Sequence, residues 1–143
     1  MIRRLGCNSV RELILTSAED GATLRMSCPD TAWGSINVEA RGNGFNVSAP
    51  VYVDMAPSLP EFLDEITAAP EATRKKASWE TLEGEFRIDA TRDSTGHIFL
   101  VYQLRSSDIG SNRWWSFTGR LVLELGQMAD VRKRAGRFWN AAA

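Results

Sequence analysis

The chain is short of the residues that carry most polar chemistry. In 143 residues it has a single histidine, His97, and two cysteines, Cys7 and Cys28. Any imidazole-dependent catalysis must therefore run through His97. Two isolated cysteines make no C-x-x-C pair or Cys/His cluster, and no acidic loop of the EF-hand type occurs, so neither a metal site nor a cofactor is expected. Long hydrophobic runs are missing too. The longest, Ile98 to Tyr102, is far too short to cross a bilayer. The opening Met-Ile-Arg-Arg-Leu turns polar at Asn8 without an apolar segment or small-residue cleavage site, so no secretory signal is read there. A cytoplasmic protein is the resulting expectation, with both thiols reduced. Excess charge is absent as well: 17 Lys+Arg stand against 18 Asp+Glu. That balance argues against wholesale binding to nucleic acid or anionic membrane, which needs a clear cationic surplus.

What is present is enough for one globular domain spanning residues 1–143. Leu, Ile, Val and Phe exceed a fifth of the chain, so a packed core can form and disorder is disfavoured. Hydrophobic periodicity alternates between 2 and 3.6. Period-2 segments are read at 10–17, 22–28, 33–41 and 45–53, joined by turn signals at Glu19-Asp20-Gly21 and Gly42-Asn43-Gly44. Pro50 within the fourth segment marks an edge strand or bulge. Ser58 and Glu61 then have capping-box spacing, and Leu59, Phe62, Leu63 and Ile66 form an apolar helical stripe ended by Pro70. Residues 71–79 fit either a helical turn or a loop.

A further strand is read over 82–90, with Leu82, Phe86, Ile88 and Ala90 inward and Glu83, Glu85, Arg87 and Asp89 outward. Asp93-Ser94-Thr95-Gly96 suits a three-residue hairpin loop with a glycine bulge. Pairing Asp93 with His97 then sets Ala90 opposite Leu100, Ile88 opposite Tyr102 and Phe86 opposite Leu104, with all six on one face. After a polar loop at 106–112, a last strand runs from about Arg113 to Leu125. A final helix carries Met128, Val131, Ala135, Phe138 and Trp139 on one side and Lys133, Arg134 and Arg137 on the other. The expected fold is α+β: one largely antiparallel, strongly curved sheet of about seven strands with two main helices, in the order β4-α-β3-α.

Each candidate site has a plain structural alternative. His97 facing Asp93 at a hairpin mouth could orient an imidazole for chemistry, yet a structural turn needs the same pairing, and no nucleophile stands beside it, so no catalytic residue is assigned. Glu83, Glu85 and Asp89 share a strand face, but Arg87 interrupts the row and Glu85 should pair with Arg105 across the strands, as on an ordinary solvated sheet. The glycines at 42–44 lack the lysine and Ser/Thr of a phosphate loop. An outer-face group of Phe99, Val101, Trp114, Arg120 and Val122, with Arg105 nearby, has the composition of an interface. A covering helix is the preferred account of it. Finally, Glu61, Asp64 and Glu65, with Glu71 beyond, make the outer face of the first helix acidic, so the neutral total conceals acid on one helix and base on the other.

Trp33-Gly34-Ser35-Ile36-Asn37-Val38, Leu59-Pro60-Glu61-Phe62-Leu63, Gly96-His97-Ile98-Phe99-Leu100 and Leu121 to Met128 carry a resemblance in layout to small bacterial single-domain proteins of unknown function and to WapI-type immunity proteins of contact-dependent toxin systems. The resemblance implies a cytoplasmic protein that binds and neutralises a cognate toxin. It brings no functional residue with it, being made of packing positions and turns. The expected partner is thus another protein, met through Glu61, Asp64 and Glu65 or through Phe99, Trp114 and Arg120. A small enzyme or ligand-binding domain with a pocket near His97 and Trp114 is the alternative. Nucleic-acid binding through Lys133, Arg134, Arg137 and Trp139 is a third, disfavoured reading.

Overall fold

A computed structural model describes residues 12–28, 34–68, 74–107 and 114–142. Cys7, Trp33, Pro70, Glu71 and most of the 106–112 loop lie outside them. The elements run β1 (Glu12–Thr16), β2 (Thr23–Ser27), β3 (Ser35–Gly42), β4 (Phe45–Tyr52), α1 (Leu59–Thr67), β5 (Lys75–Glu80), β6 (Phe86–Arg92), β7 (His97–Ser107), β8 (Trp114–Glu124) and, after a short 3-10 turn at Leu125–Gln127, α2 (Met128–Ala142). The strands form two four-stranded antiparallel meanders, β1-β2-β3-β4 and β5-β6-β7-β8. The mixed α+β class holds, but the single seven-strand sheet does not.

The extra strand is β5, in the stretch left open between helix and loop. Its Trp79 is buried, and its indole N–H donates to the Pro57 carbonyl at 2.7 Å. Alternation there is carried by Ala77 and Trp79 against Lys76, Ser78 and Glu80, a signal diluted by lysines and a serine. The strand read over 82–90 is accordingly two things. Thr81 to Gly84 is a turn, closed by Gly84 N–H to the Thr81 carbonyl at 2.9 Å, and Leu82 is 71% exposed rather than inward. From Phe86 onward the expected register is observed: Phe86 pairs with Leu104, Ile88 with Tyr102 and Ala90 with Leu100. Asp93 N–H donates to the His97 carbonyl and Gly96 has φ +91°, so the glycine-bulge loop forms as its chemistry requires. Pro50 lies exposed on β4, an edge strand.

Both sheets turn one face into a single apolar cluster that also takes Leu59, Phe62, Leu63 and Ile66 of α1 and Met128, Val131, Ala135, Phe138 and Trp139 of α2. The Ser58 hydroxyl caps α1 by accepting Glu61 N–H, as the capping signal requires. The helices pack against each other, with α1 on β5 and β6 and α2 on β1. The sheets are also tied at one edge: Ala18 N–H donates to the Val122 carbonyl at 2.7 Å, and Val122 N–H donates to the buried Ser17 hydroxyl at 3.0 Å. Cys28 is disulfide-bonded, where a reduced thiol is expected from the sequence. Among the described residues no helix is long and apolar enough to cross a membrane.

Candidate functional site

The β7–β8 hairpin presents the most chemically varied surface. Alternation sends Phe99 and Val101 of β7 and Arg120 and Val122 of β8 to the outer face, and the register sets Phe99 opposite Val122 and Val101 opposite Arg120. Among the described residues no helix covers this face, because α1 and α2 pack chiefly on β1, β5, β6 and each other. Val101 is accordingly 40% exposed. Arg120 holds its guanidinium 5.8 Å from the Phe99 ring centre and donates to both carboxylate oxygens of Glu19 on the β1–β2 turn, at 2.9 and 3.2 Å. Phe99, Val122, Ala18, Glu19, His97 and Glu124 line an open depression of about 300 Å³.

His97 stands on the lip of that depression. The expected Asp93–His97 hydrogen bond through the ring is not made: Asp93 Oδ2 is 3.6 Å from Nδ1, too far. The link is indirect. Thr95 Oγ1 donates to Asp93 Oδ1 at 2.7 Å and stands 2.7 Å from His97 Nδ1, while Asp93 Oδ1 also accepts the His97 backbone N–H. With its one hydrogen given to Asp93, the Thr95 hydroxyl accepts from Nδ1–H, leaving Nε2 toward Glu124 Oε1 at 3.4 Å. Asp93 titrates below the ordinary carboxylate range, chiefly through the Thr95 hydroxyl. The imidazole is thus held at a turn by the Thr95 hydroxyl, whose own hydrogen is given to Asp93.

Trp114 does not join this group. It is on the same face and 72% exposed, but pairs with Ser107 at the opposite end of the hairpin. At about 3.4 Å per residue it stands about 27 Å from Val122. The proposed His97–Trp114 pocket is therefore not formed, and the interior between the sheets is filled by side chains.

The acidic helix face is present but divided. Glu61, Asp64 and Glu65 are all exposed, yet Asp64 accepts Arg132 Nε of α2 at 2.7 Å, so Glu61 and Glu65 remain as its open charge. On α2, Arg134 pairs with Asp130, and Trp139 is turned inward at 6.1 Å from Trp79 instead of standing beside the cations. Lys133, Arg134 and Arg137 line a groove of about 630 Å³ with Glu12, Ile14, Asp130 and Phe138. Phe138, the aromatic among its described lining residues, is buried and offers no open ring face to a base.

The carboxylate row on β6 is also rearranged. Glu83 belongs to the turn, while Arg87 pairs with Asp89 at 2.9 Å and lowers its pKa by that hydrogen bond. Arg105 donates its guanidinium to the carbonyls of Gly84 and Glu83 and its backbone N–H to that of Glu85, so Glu85 and Arg105 are joined through the main chain and the two charges act on each other only at a distance. Burial pushes the Glu85 carboxyl up against the opposing pull of Tyr52 N–H. Glu19, Thr95 and Glu124 escaped the sequence reading. Glu19 is 101 positions from Arg120, and no local pattern connects them.

Residues 15–142 match the model of a family of unknown function, DUF6228, and the chain belongs to that family. No curated protein and no solved structure matches it.

Proposed function

We propose that this member of a family of unknown function is a protein-binding module, acting stoichiometrically in the manner of an immunity protein that neutralises a cognate bacterial toxin in the cytoplasm. The observation that carries the reading is the outer face of β7–β8, covered by neither described helix, where Phe99 and Val101 lie beside Arg120 and its Glu19 partner. Aromatic and aliphatic surface next to an arginine is what protein interfaces use at their centres. Glu61 and Glu65 supply the steering charge toward a basic partner, since complementary fields act mainly on association rate. The layout resemblance to WapI-type immunity proteins read from the sequence points to the same class, while the family match itself assigns no function. The disulfide at Cys28 pulls the other way on compartment alone, because cytosolic thiols are kept reduced.

The test is a binding assay with the purified product of the adjacent gene. Nanomolar, one-to-one association is expected, weakened about tenfold or more by Phe99→Ser with Arg120→Glu. Reversal of Glu61 and Glu65 to lysine, which leaves the Asp64–Arg132 contact in place, is expected to slow association at low salt and to lose its effect at high salt. Unchanged binding after both sets of substitutions overturns the reading.

A further inference from the structure

We infer that the chain forms a two-fold dimer by pairing the outer edge of β8 with the same edge of a second copy. A sheet edge left open is a template for another strand, and proteins block edges they do not use. Three of the four edges here carry such a block. Strand β1 is covered by α2, β4 carries Pro50, and β5 begins with Lys75 and Lys76. Strand β8 has none of these over Trp114–Arg120, and both its tryptophans are partly or largely exposed.

The backbone direction follows from one residue. Val122 sends both its N–H and its carbonyl away from β7, to Ser17 and Ala18, while Leu125 N–H, three residues on, returns to Gly96 beside β7. Strand groups alternate with period 2, so Arg120, Thr118, Ser116 and Trp114 present the same outward pairs. None of these makes an outward backbone bond among the described residues. The clamp at Val122 closes the open stretch at one end, and at the other the described strand begins with Trp114.

An antiparallel two-fold that uses the whole of Trp114–Arg120 must be centred on Phe117. The outward-pointing residues then meet one another, Trp114 with the second copy's Arg120 and Ser116 with the second copy's Thr118, each pair exchanging both N–H···O bonds. On the inner face Trp115 meets Gly119, and Phe117 meets its own copy. Every pairing is compatible: aromatic beside cation, hydroxyl beside hydroxyl, indole beside the residue without a side chain. The sole charge in the stretch, Arg120, is kept away from its copy. A two-fold contact also consumes the edge on both molecules, so assembly stops at two.

Sedimentation equilibrium from micromolar to near-millimolar protein is expected to show a monomer–dimer equilibrium and nothing larger. Thr118→Pro removes an outward N–H without touching the β7 ladder and is expected to weaken the dimer at least tenfold with an unchanged far-ultraviolet spectrum. Should that variant not fold, mixing Ser116→Cys with Thr118→Cys decides: oxidation is expected to yield covalent dimers from the mixture in large excess over either variant alone. A monomer at every concentration, assemblies beyond two, a dimer indifferent to Thr118→Pro, or no preference for the mixed crosslink overturns the inference.

Discussion

The guanidinium of Arg92, at the end of β6, is 1% exposed and donates from Nη1 to the Thr67 carbonyl at 2.8 Å, with the Ile66 carbonyl at 3.5 Å. A cation therefore sits at the C-terminal end of α1, where carbonyls lack intrahelical donors and the helix dipole is negative. It fastens the first helix to the second sheet, 25 positions away in sequence.

Arg92→Ala is expected to destabilise the fold by about 3 kcal/mol, because it leaves buried carbonyls unpaired and opens a cavity. Arg92→Met keeps most of the volume and should recover about half of the loss. Urea denaturation of the three proteins measures the ordering, and equal stability of all three would remove Arg92 from any structural role.

Tyr102 lies across Gly119, to which it is paired on β8, and a Cβ at that position would stand 2.2 Å from the phenol oxygen. Gly119→Ala is expected to cost about 2 kcal/mol by overpacking. The phenol oxygen is buried without a hydrogen-bond partner among the described residues, so Tyr102→Phe should be neutral or stabilising and should relieve much of the Gly119→Ala defect in the double variant. Burial pushes the Tyr102 pKa up to about 12. The unfolded phenol ionises near 10, so this group leaves stability flat below pH 10 and lowers it as pH rises from there toward 12. Tyrosinate absorbance with Tyr102→Phe as reference checks this, and ionisation of Tyr102 at the ordinary pH would contradict it.

Leu82 separates the observed turn from the strand read over 82–90. At 71% exposure, Leu82→Asn is expected to change stability by no more than about 0.5 kcal/mol, whereas Phe86→Ala, fully buried four residues later, should cost about 4 kcal/mol. A large loss at Leu82 would restore it to the core.

These residues show where the fold could be read. Long alternating stretches closed by turn chemistry were legible: the Phe86 to Leu104 register followed from one Asp-to-Gly loop, and the α1 and α2 stripes followed from their spacing. Strand β5 was not, because Lys75, Lys76 and Ser78 dilute its alternation and only Ala77 and Trp79 turn inward. The misread of Leu82 has the same origin, an apolar residue in phase with the strand beyond its turn. Of the candidate surface, Phe99 and Arg120 were placed on one face correctly by parity. Trp114 shared that parity but not the location, since parity fixes the face and says nothing of distance along the strand. Arg92 and Glu19 act through contacts 25 and 101 positions away and left no trace in their neighbourhoods.

Asp93 organises the β6–β7 turn through one oxygen, which accepts Thr95 N–H at 2.9 Å, the Thr95 hydroxyl at 2.7 Å and His97 N–H at 3.0 Å. These donors favour the carboxylate and hold its pKa below the usual value, the Thr95 hydroxyl contributing most. A depressed folded pKa means that the stabilisation is complete above the unfolded value near 3.9 and is lost as pH falls through the folded one. Hydrogen exchange at the β6–β7 turn should therefore be slow at pH 5 and accelerate, relative to the core, below about pH 4. Asp93→Asn keeps an accepting oxygen but cannot change charge in this range, so it should retain the turn and abolish that acid-dependent opening, whereas Asp93→Ala should open the turn at every pH. If the asparagine variant kept the full acid response, the Asp93 carboxylate would not be its source.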